Sequence, residues 1–230
     1  MIKTRRELLA GGLATVAAAA AGAPAWAAKS TAKSGSSFFA GTAVDNGVTY
    51  RTTNFNKIDK KWHKQVVKFF SSEPQGTVVV DTIHHMLYLI MENKTAIRYG
   101  VGVGREGFKW YGYATIDRKA LWPKWTPPPE MIKRHPELPP FINGGDPKNP
   151  LSARGMYLYR EGSDIGYRLH GTLEPWSIGK DASSGCIRMF NEDAIDLYQR
   201  CPIGTAVQVL PHIADRAQQA TQVSETAPVE

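Results

Sequence analysis

Between residues 76 and 121 the sequence alternates short runs of β-branched and aromatic residues with polar turns. Val, Ile, Tyr and Thr favour extended backbone, because their branched or bulky side chains pack well on a pleated surface. Each run has the length of a typical strand, and a turn at Asn93 joins two of them into a predicted hairpin. The runs are TVVVDT (77–82), MLYLIM (86–91), TAIRYGVG (95–102) and ATIDRKAL (114–121).

The second half of the chain continues this pattern. A second hairpin is predicted over residues 156–170, turning at Gly162-Ser163, and a last strand over residues 206–210. Residues 191–200 (NEDAIDLYQR) predict a short helix with Asn191 as its N-cap and acidic residues in its first turn. The sequence therefore predicts one mostly β domain with one or two short helices.

Residues 122–150 form a long proline-rich segment that separates the two halves. Proline lacks an amide donor, so a segment this rich in it cannot hold regular structure for long. Because it carries Trp122 and Trp125, the segment is either a linker or a functional lid.

The first 27 residues are typical of a signal peptide. A basic start is followed by an apolar Leu/Ala/Gly stretch too short to span a membrane, and then by the small-x-small pattern Ala25-Trp26-Ala27. Residues 4–9 (TRRELL) resemble a twin-arginine export signal, although an ordinary secretory signal can also carry two arginines. We therefore expect a protein exported to the periplasm or cell envelope.

The remaining terminal segments are predicted from composition and spacing. Residues 28–50 are rich in Ser, Gly, Ala and Thr and predict a flexible leader. Residues 59–70 place apolar side chains at helical spacing, so the leader of residues 28–75 is predicted to contain one helix. The globular domain is predicted over residues 76–211, followed by a disordered polar tail at 212–230.

The net charge of +7 does not by itself identify a partner. A basic chain can bind nucleic acid, but it is equally suited to an anionic polymer such as a cell wall with free carboxylates. The basic residues are scattered rather than clustered, and no nucleic-acid partner is predicted.

The most reactive pattern joins His170 to Cys186, sixteen residues later. A thiol is a good nucleophile only as thiolate, so it needs a neighbouring base or a positive environment. A loop could return Cys186 to a histidine at the end of a strand, and Gly185 allows the sharp turn that aims backbone amides at an oxyanion.

Two other readings of the cysteines and histidines are weaker. A metal site would need further ligands at a recognisable spacing, and the adjacent His84 and His85 would point apart on a strand. Cys201 precedes a proline at the predicted helix end and is interpreted as a buried small thiol rather than a disulfide partner.

The chemistry-bearing segments resemble the signature of the L,D-transpeptidase family, whose catalytic domain is of the YkuD type. Residues 170–172 (HGT) and 183–189 (SSGCIRM) carry the signature itself. The resemblance spans roughly residues 76–211 and implies a β-sandwich or barrel domain. Supporting matches lie at residues 78–81, 87–89, 98–104, 122–129, 144–145, 149–151 and 202–205.

The resemblance also implies roles for individual residues. Cys186 would attack a stem-peptide carbonyl, and His170 would be its base, held by the backbone carbonyl of Gly171. Backbone amides around Gly185 and Cys186 would form the oxyanion hole. Arg188 would bind a substrate carboxylate, for which a forked guanidinium is well suited.

Four further residues are predicted substrate contacts: Ser183, Ser184, Trp122 and Trp125. The family's common motif has a histidine where this chain has Ser184, so the resemblance implies no second imidazole beside Cys186.

The implied function is peptidoglycan L,D-transpeptidation without cofactor or metal, on stem peptides as acyl donors. The acyl acceptor could be another stem's diaminopimelate, a D-amino acid or an outer-membrane protein. Two alternatives stay open: a hydrolase in which water resolves the same thioester, and a catalytically silent wall-binding module.

Overall fold

The computed structural model describes residues 36–104, 110–183 and 185–211. The predicted signal peptide, the predicted tail and Ser184 lie outside the described residues. No helix in these ranges is long and apolar enough to cross a membrane.

The described chain is mostly β, as predicted. Its elements in chain order are β1 (Phe39–Asp45), β2 (Val48–Thr53), β3 (Gln65–Lys68), β4 (Val78–Asp81), β5 (Met86–Ile90), β6 (Thr95–Gly100), β7 (Val103–Gly104), β8 (Gly112–Leu121), α1 (Pro129–Arg134), β9 (Arg154–Arg160), β10 (Ser163–Gly171), β11 (Asp181–Ser183), β12 (Ile187–Met189), α2 (Asn191–Arg200) and β13 (Thr205–Val209).

One mixed sheet organises the domain. Within the described ranges it has nine strands in the order β12-β10-β9-β8-β13-β4-β5-β6-β3, while β1–β2 and β7–β11 form separate two-stranded pairs. A short bridge connects two distant parts of the large sheet, the edge strand β12 and the segment after β6: Gly102 exchanges two backbone hydrogen bonds with Arg188 of β12, at 2.9 and 2.8 Å. The sheet therefore folds over onto itself as a β-sandwich.

The hydrophobic core lies between the two folded halves of this sheet. Apolar side chains from both halves are completely buried in one cluster, and helix α2 adds Ala194 and Leu197 to it. Each strand contributes alternate residues, because successive side chains of a strand point to opposite faces. Representative core residues are Val78, Leu87, Tyr99, Met156, Leu169 and Ile187.

Both predicted hairpins are confirmed. The first joins β5 to β6 through Asn93 and Lys94, each with φ 57°. The second joins β9 to β10 through Glu161 and Gly162, with φ 52° and 76°, so its turn lies one residue before the predicted Gly162-Ser163. Two residues with positive φ make the tight turn that matches the twist of paired strands.

The predicted helix at residues 191–200 is confirmed, but its predicted N-cap is wrong. Phe190 occupies the cap position, without a capping bond from its side chain, and Asn191 is the first helical residue. The Oδ1 atom of Asn191 instead accepts a hydrogen bond of 3.4 Å from the amide of Ala153. A contact with the start of β9 has taken the place of a bond within the helix.

The prediction of a flexible leader is wrong for its later part, since strands β1 and β2 form a hairpin. Asp45 fastens this hairpin to the domain through two bonds to the buried guanidinium of Arg154, of 2.7 and 2.9 Å. Glu192 adds two more, accepting from the amide and the hydroxyl of Thr53. Composition gave no sign of these ion-pair and hydrogen-bond anchors.

The helix predicted within residues 59–70 is also wrong. A single 3₁₀ turn at Lys60–Trp62 leads into β3, which pairs antiparallel with β6. The apolar spacing suggested a buried face, yet Val66 and Phe70 are 71% and 76% exposed. Backbone pairing at the open edge of the sheet decided the local structure, overriding the helical pattern.

Candidate active site

His170 lies near the end of β10, on the face of the strand that is turned away from the core. Strand β10 pairs in parallel with β12, so that Leu169 lies beside Ile187 and His170 beside Arg188. Leu169 and Ile187 are fully buried in the core. Because side chains alternate along a strand, His170 and Arg188 share the opposite face.

The imidazole of His170 is buried and its orientation is fixed. Its Nδ1 atom lies 2.6 Å from the carbonyl oxygen of Gly171. A carbonyl can only accept, so Nδ1 carries the proton and Nε2 is left as an acceptor. Burial, followed by the charge of Arg188, lowers the pKa of His170 to about 4 although the Gly171 carbonyl opposes this shift. The ring is therefore neutral at pH 7.

Cys186 stands immediately before β12, next to Arg168 of β10. Burial raises the pKa of the Cys186 thiol above its ordinary value. The backbone amide of Arg168 and the charges of Arg168 and Arg188 act in the opposite direction and favour the thiolate. The resting thiol is thus protonated, in a setting that supports a negative sulfur once the proton leaves.

The turn before Cys186 is held by Ser183. The Ser183 hydroxyl donates to the carbonyl of Cys186 at 2.6 Å and accepts from the amide of Gly185 at 3.1 Å. Gly185 has φ 116°, where a side chain would be strained, and an added Cβ would lie 3.0 Å from the ring of Tyr167. This turn requires a glycine.

These contacts involve two groups for which the sequence predicts other roles. Ser183, predicted to bind substrate, is buried and is occupied by the backbone of the turn. The Gly185 amide, predicted for the oxyanion hole, already donates to Ser183. A short polar side chain at this spacing serves the local backbone.

An open cleft of about 220 Å³ adjoins the thiol. Trp125 lines it, so the structure brings this predicted contact to Cys186. The cleft also contains basic residues that the sequence analysis did not select. Its main lining residues are Cys186, Arg118, Lys124, Trp125, Tyr157 and Arg168.

Trp122, also predicted as a substrate contact, does not line the cleft of Cys186. Its indole Nε1 donates to the carbonyl oxygen and to the Oδ2 atom of Asp45, at 3.0 and 2.8 Å, and its ring packs 5.6 Å from that of Tyr50. The indole lines a separate cleft of about 170 Å³ against the N-terminal hairpin. Trp122 therefore packs against a hairpin that was not predicted from the sequence.

Arg188 is beside His170 but does not line the cleft of Cys186. Its NH1 group forms an ion pair of 2.6 Å with Glu174 in the loop between His170 and Cys186. The predicted carboxylate partner of Arg188 is therefore already supplied by the chain itself.

Cys201, His84 and His85 lie in surroundings that suit structural roles. Cys201 is 1% exposed, and burial raises its pKa to about 12, as expected of a structural thiol. Both cysteines are free. His84 and His85 contact Asp81 and Asp181 respectively, and no cluster of three metal-binding side chains exists in the part of the chain described here.

Comparisons with known proteins agree on one catalytic domain. Residues 75–209 match the model of the YkuD family, described as an L,D-transpeptidase catalytic domain. A protein of Fuscovulum blasticum, provisionally named as an L,D-transpeptidase in the ATP synthase subunits region, is 42% identical over 99 residues, which are 43% of this chain and 49% of that protein. "Probable L,D-transpeptidase ErfK/SrfK" of Escherichia coli is 32% identical over 155 residues, covering 60% of this chain and 47% of that protein.

The chain thus spans about half the length of these two curated relatives. Among solved structures, a protein of Brucella melitensis described as "Probable carnitine operon oxidoreductase caia" is 45% identical, with a TM-score of 0.46. That alignment covers 68% of this chain and 99% of the Brucella chain. That name applies to the Brucella protein alone.

Proposed function

Because the chain belongs to the L,D-transpeptidase family of YkuD-type catalytic domains, we propose that it is an exported peptidoglycan L,D-transpeptidase with Cys186 as nucleophile and His170 as base. The observation that carries the proposal is the buried, neutral imidazole of His170, held through Nδ1 by Gly171, on the strand that pairs beside the thiol. Residues 1–27 would direct export, and residues 76–211 would form the catalytic domain.

The first half-reaction forms a thioester. Nε2 of His170 takes the proton from the Cys186 thiol as Sγ attacks the carbonyl on the L-side of an L,D peptide bond. The tetrahedral intermediate then collapses, the C–N bond breaks, and His170 returns the proton to the amine of the departing D-alanine. A neutral imidazole suits this sequence because it can accept a proton first and donate it afterwards.

The second half-reaction reverses these roles. His170 removes a proton from an acceptor amine, which attacks the thioester carbonyl. A new amide forms, the C–S bond breaks, and the thiol recovers its proton. The acceptor would be a stem-peptide amine, a D-amino acid or the amine of an outer-membrane protein.

Charge development on sulfur and oxygen would be stabilised by the backbone. The Arg168 amide favours the thiolate, while the Cys186 amide is the remaining predicted donor to the oxyanion. Trp125 would contact the substrate from the cleft wall, and Ser184, outside the described residues, remains a predicted substrate contact.

The test is mass spectrometry of defined wall tetrapeptides, with their own amines acetylated, incubated with the protein lacking residues 1–27, with and without an acceptor amine. We expect a thioester on Cys186, loss of D-alanine, and a cross-linked product that appears only with the acceptor. Cys201→Ala is the matched control and should retain these products, whereas Cys186→Ala should lose them. Free tripeptide as the sole product, even with excess amine, would indicate the hydrolase. Absence of any thioester would indicate the silent wall-binding module.

A further inference from the structure

We propose that the cleft of Cys186 contains a carboxylate-binding site, built from Arg118 on the face of Tyr157 and Lys124 on the face of Phe141, which selects acyl donors that carry a free carboxylate. This inference rests on the proposed function, since it concerns the donor peptide of that reaction. It assigns to Arg118 the recognition that the sequence analysis had assigned to Arg188.

The first support is the way in which three adjacent strands assemble the site. Tyr157 of β9 lies between two core residues, Met156 and Leu158, so its ring is on the opposite face of the sheet. It pairs with Arg118 of β8 on one side and with Arg168 of β10 on the other. The two guanidinium carbons lie 3.7 and 4.7 Å from the centre of its ring.

An irregularity in β8 is what directs Arg118 to this face. Ala114 and Ile116 of the same strand are buried in the core, so strict alternation would turn Arg118 inward as well. The register shifts between Ile116 and Arg118, which places an extra residue, Asp117, in the strand. A β-bulge of this kind re-aims the side chain that follows it, often beside an active site.

The second support is the charge balance of the cleft. Arg168 is neutralised by a bidentate contact with Asp164, with both bonds at 2.9 Å. Arg118 and Lys124 form no ion pair with any residue in the described ranges. Each instead rests on an aromatic ring, with Lys124 Nζ 3.6 Å from the centre of Phe141. Two cations without a counter-charge therefore face the same cleft as the thiol.

This arrangement suits a carboxylate more than any other substrate group. A guanidinium binds a carboxylate through two parallel hydrogen bonds. Because the guanidinium of Arg118 is already stacked on a ring, it loses less conformational freedom when it binds. Arg188 is less suited to bind a substrate carboxylate, because that carboxylate would have to displace Glu174 from a 2.6 Å ion pair. The ligand is either the C-terminal carboxylate of the donor peptide or a carboxylate of one of its side chains.

The experiment compares three synthetic tetrapeptide donors: the free acid, the C-terminal amide and the side-chain amide. Thioester formation on Cys186 is followed by intact-mass spectrometry, and kcat/KM is measured with an excess of acceptor. We expect wild type to prefer the free acid over one of the two amides by about tenfold, as for a partly exposed charge-assisted bond. In Arg118→Gln that preference should largely disappear.

Two further variants make the test specific. Arg160→Gln removes the same charge from an exposed position at the far end of β9, outside the cleft, and should keep the preference. Arg118→Lys keeps the charge but loses the fork, and should fall between wild type and Arg118→Gln. Alkylation of Cys186 by iodoacetamide, a neutral reagent, reports whether the thiol itself has changed.

The outcomes separate the two proposals. If all three donors acylate wild type equally well, or if the preference survives in Arg118→Gln, the carboxylate site is refuted and the transpeptidase proposal stands. If no donor acylates Cys186, the proposed function fails and this inference fails with it.

Discussion

The Nδ1 atom of His170 lies 2.6 Å from the carbonyl oxygen of Gly171, its neighbour in β10. In many cysteine and serine acyltransferases a carboxylate or amide side chain orients the catalytic imidazole. Here the orienting group is backbone, which fixes the tautomer without placing a negative charge beside the ring. With burial unopposed by an anion, the imidazole stays neutral and available as a base.

The pH dependence of activity should follow from this neutrality. A histidine acts as a base only when unprotonated, so activity through His170 is present above its pKa and lost as the pH falls through it. Since that pKa is lowered to about 4, the acid limb of kcat/KM should lie near pH 4 and not near the ordinary histidine value of 6.5. Steady-state rates between pH 3.5 and 8 would check this, and an acid limb centred at 6.5 would contradict a buried neutral base.

Removal of the imidazole should be the most damaging change outside the thiol. We expect His170→Gln to lower kcat by ~10²–10⁴-fold, the usual scale of a positioned acid–base group. His84→Gln, on the exposed turn before β5, is the matched control and should keep wild-type activity. Circular dichroism of both variants would establish that they are folded, and a fully active His170→Gln would require another base.

The two thiols should differ sharply in reactivity. In the folded protein, iodoacetamide should modify Cys186, which lines an open cleft, and should spare Cys201, which is 1% exposed with a pKa near 12. The difference in rate should be about 100-fold or more, because alkylation requires both access and thiolate. Peptide mapping after timed alkylation measures it, and equal labelling in urea provides the control.

Much of the β framework could be predicted from the sequence because its signals are local. The hairpin at Asn93 and the helix at residues 191–200 depend on turn residues and side-chain periodicity that are visible in a short window. The proximity of His170 and Cys186 could also be predicted, because a histidine at a strand end and a glycine turn before the cysteine are both visible in the sequence. Local patterns of this kind survive into the fold.

The remainder depended on contacts between distant segments. The ion pair of Asp45 with Arg154 and the pairing of β3 at the sheet edge both bring together residues far apart in sequence. The position of Arg118 in the cleft could not be predicted, because a one-residue bulge that has no sequence signal decides which face of the sheet its side chain occupies. Trp122 could not be separated from Trp125 without knowing where the N-terminal hairpin packs.

The anchor of the N-terminal hairpin should contribute measurably to stability. Asp45→Ala leaves the guanidinium of Arg154, which is 2% exposed, without its carboxylate partner. We expect the free energy of unfolding to fall by about 3 kcal/mol, as when one partner of a buried pair is removed. Glu130→Ala breaks an exposed pair with Lys133, and should cost less than about 0.5 kcal/mol. Urea denaturation measures both, and equal small losses would show that the hairpin is loosely attached.

The pairing of Arg188 with Glu174 leads to a prediction that separates two roles for this arginine. Its positive charge is the second-largest cause of the low pKa of His170, after burial. If Arg188 acts through the imidazole, Arg188→Gln should raise the pKa of His170 and move the acid limb of kcat/KM upward from pH 4. The KM for wall peptides should then change little, because Glu174 and not the substrate is its partner. If Arg188 binds a substrate carboxylate instead, KM should rise for free-acid donors while the acid limb stays in place.

A second variant, Glu174→Gln, removes the carboxylate partner of Arg188 and so distinguishes the two roles from the other side. By freeing the guanidinium it should hold the acid limb at pH 4 or below in the first case, and lower KM in the second. A pH profile of both variants, with free-acid and amidated donors measured in parallel, distinguishes the two roles.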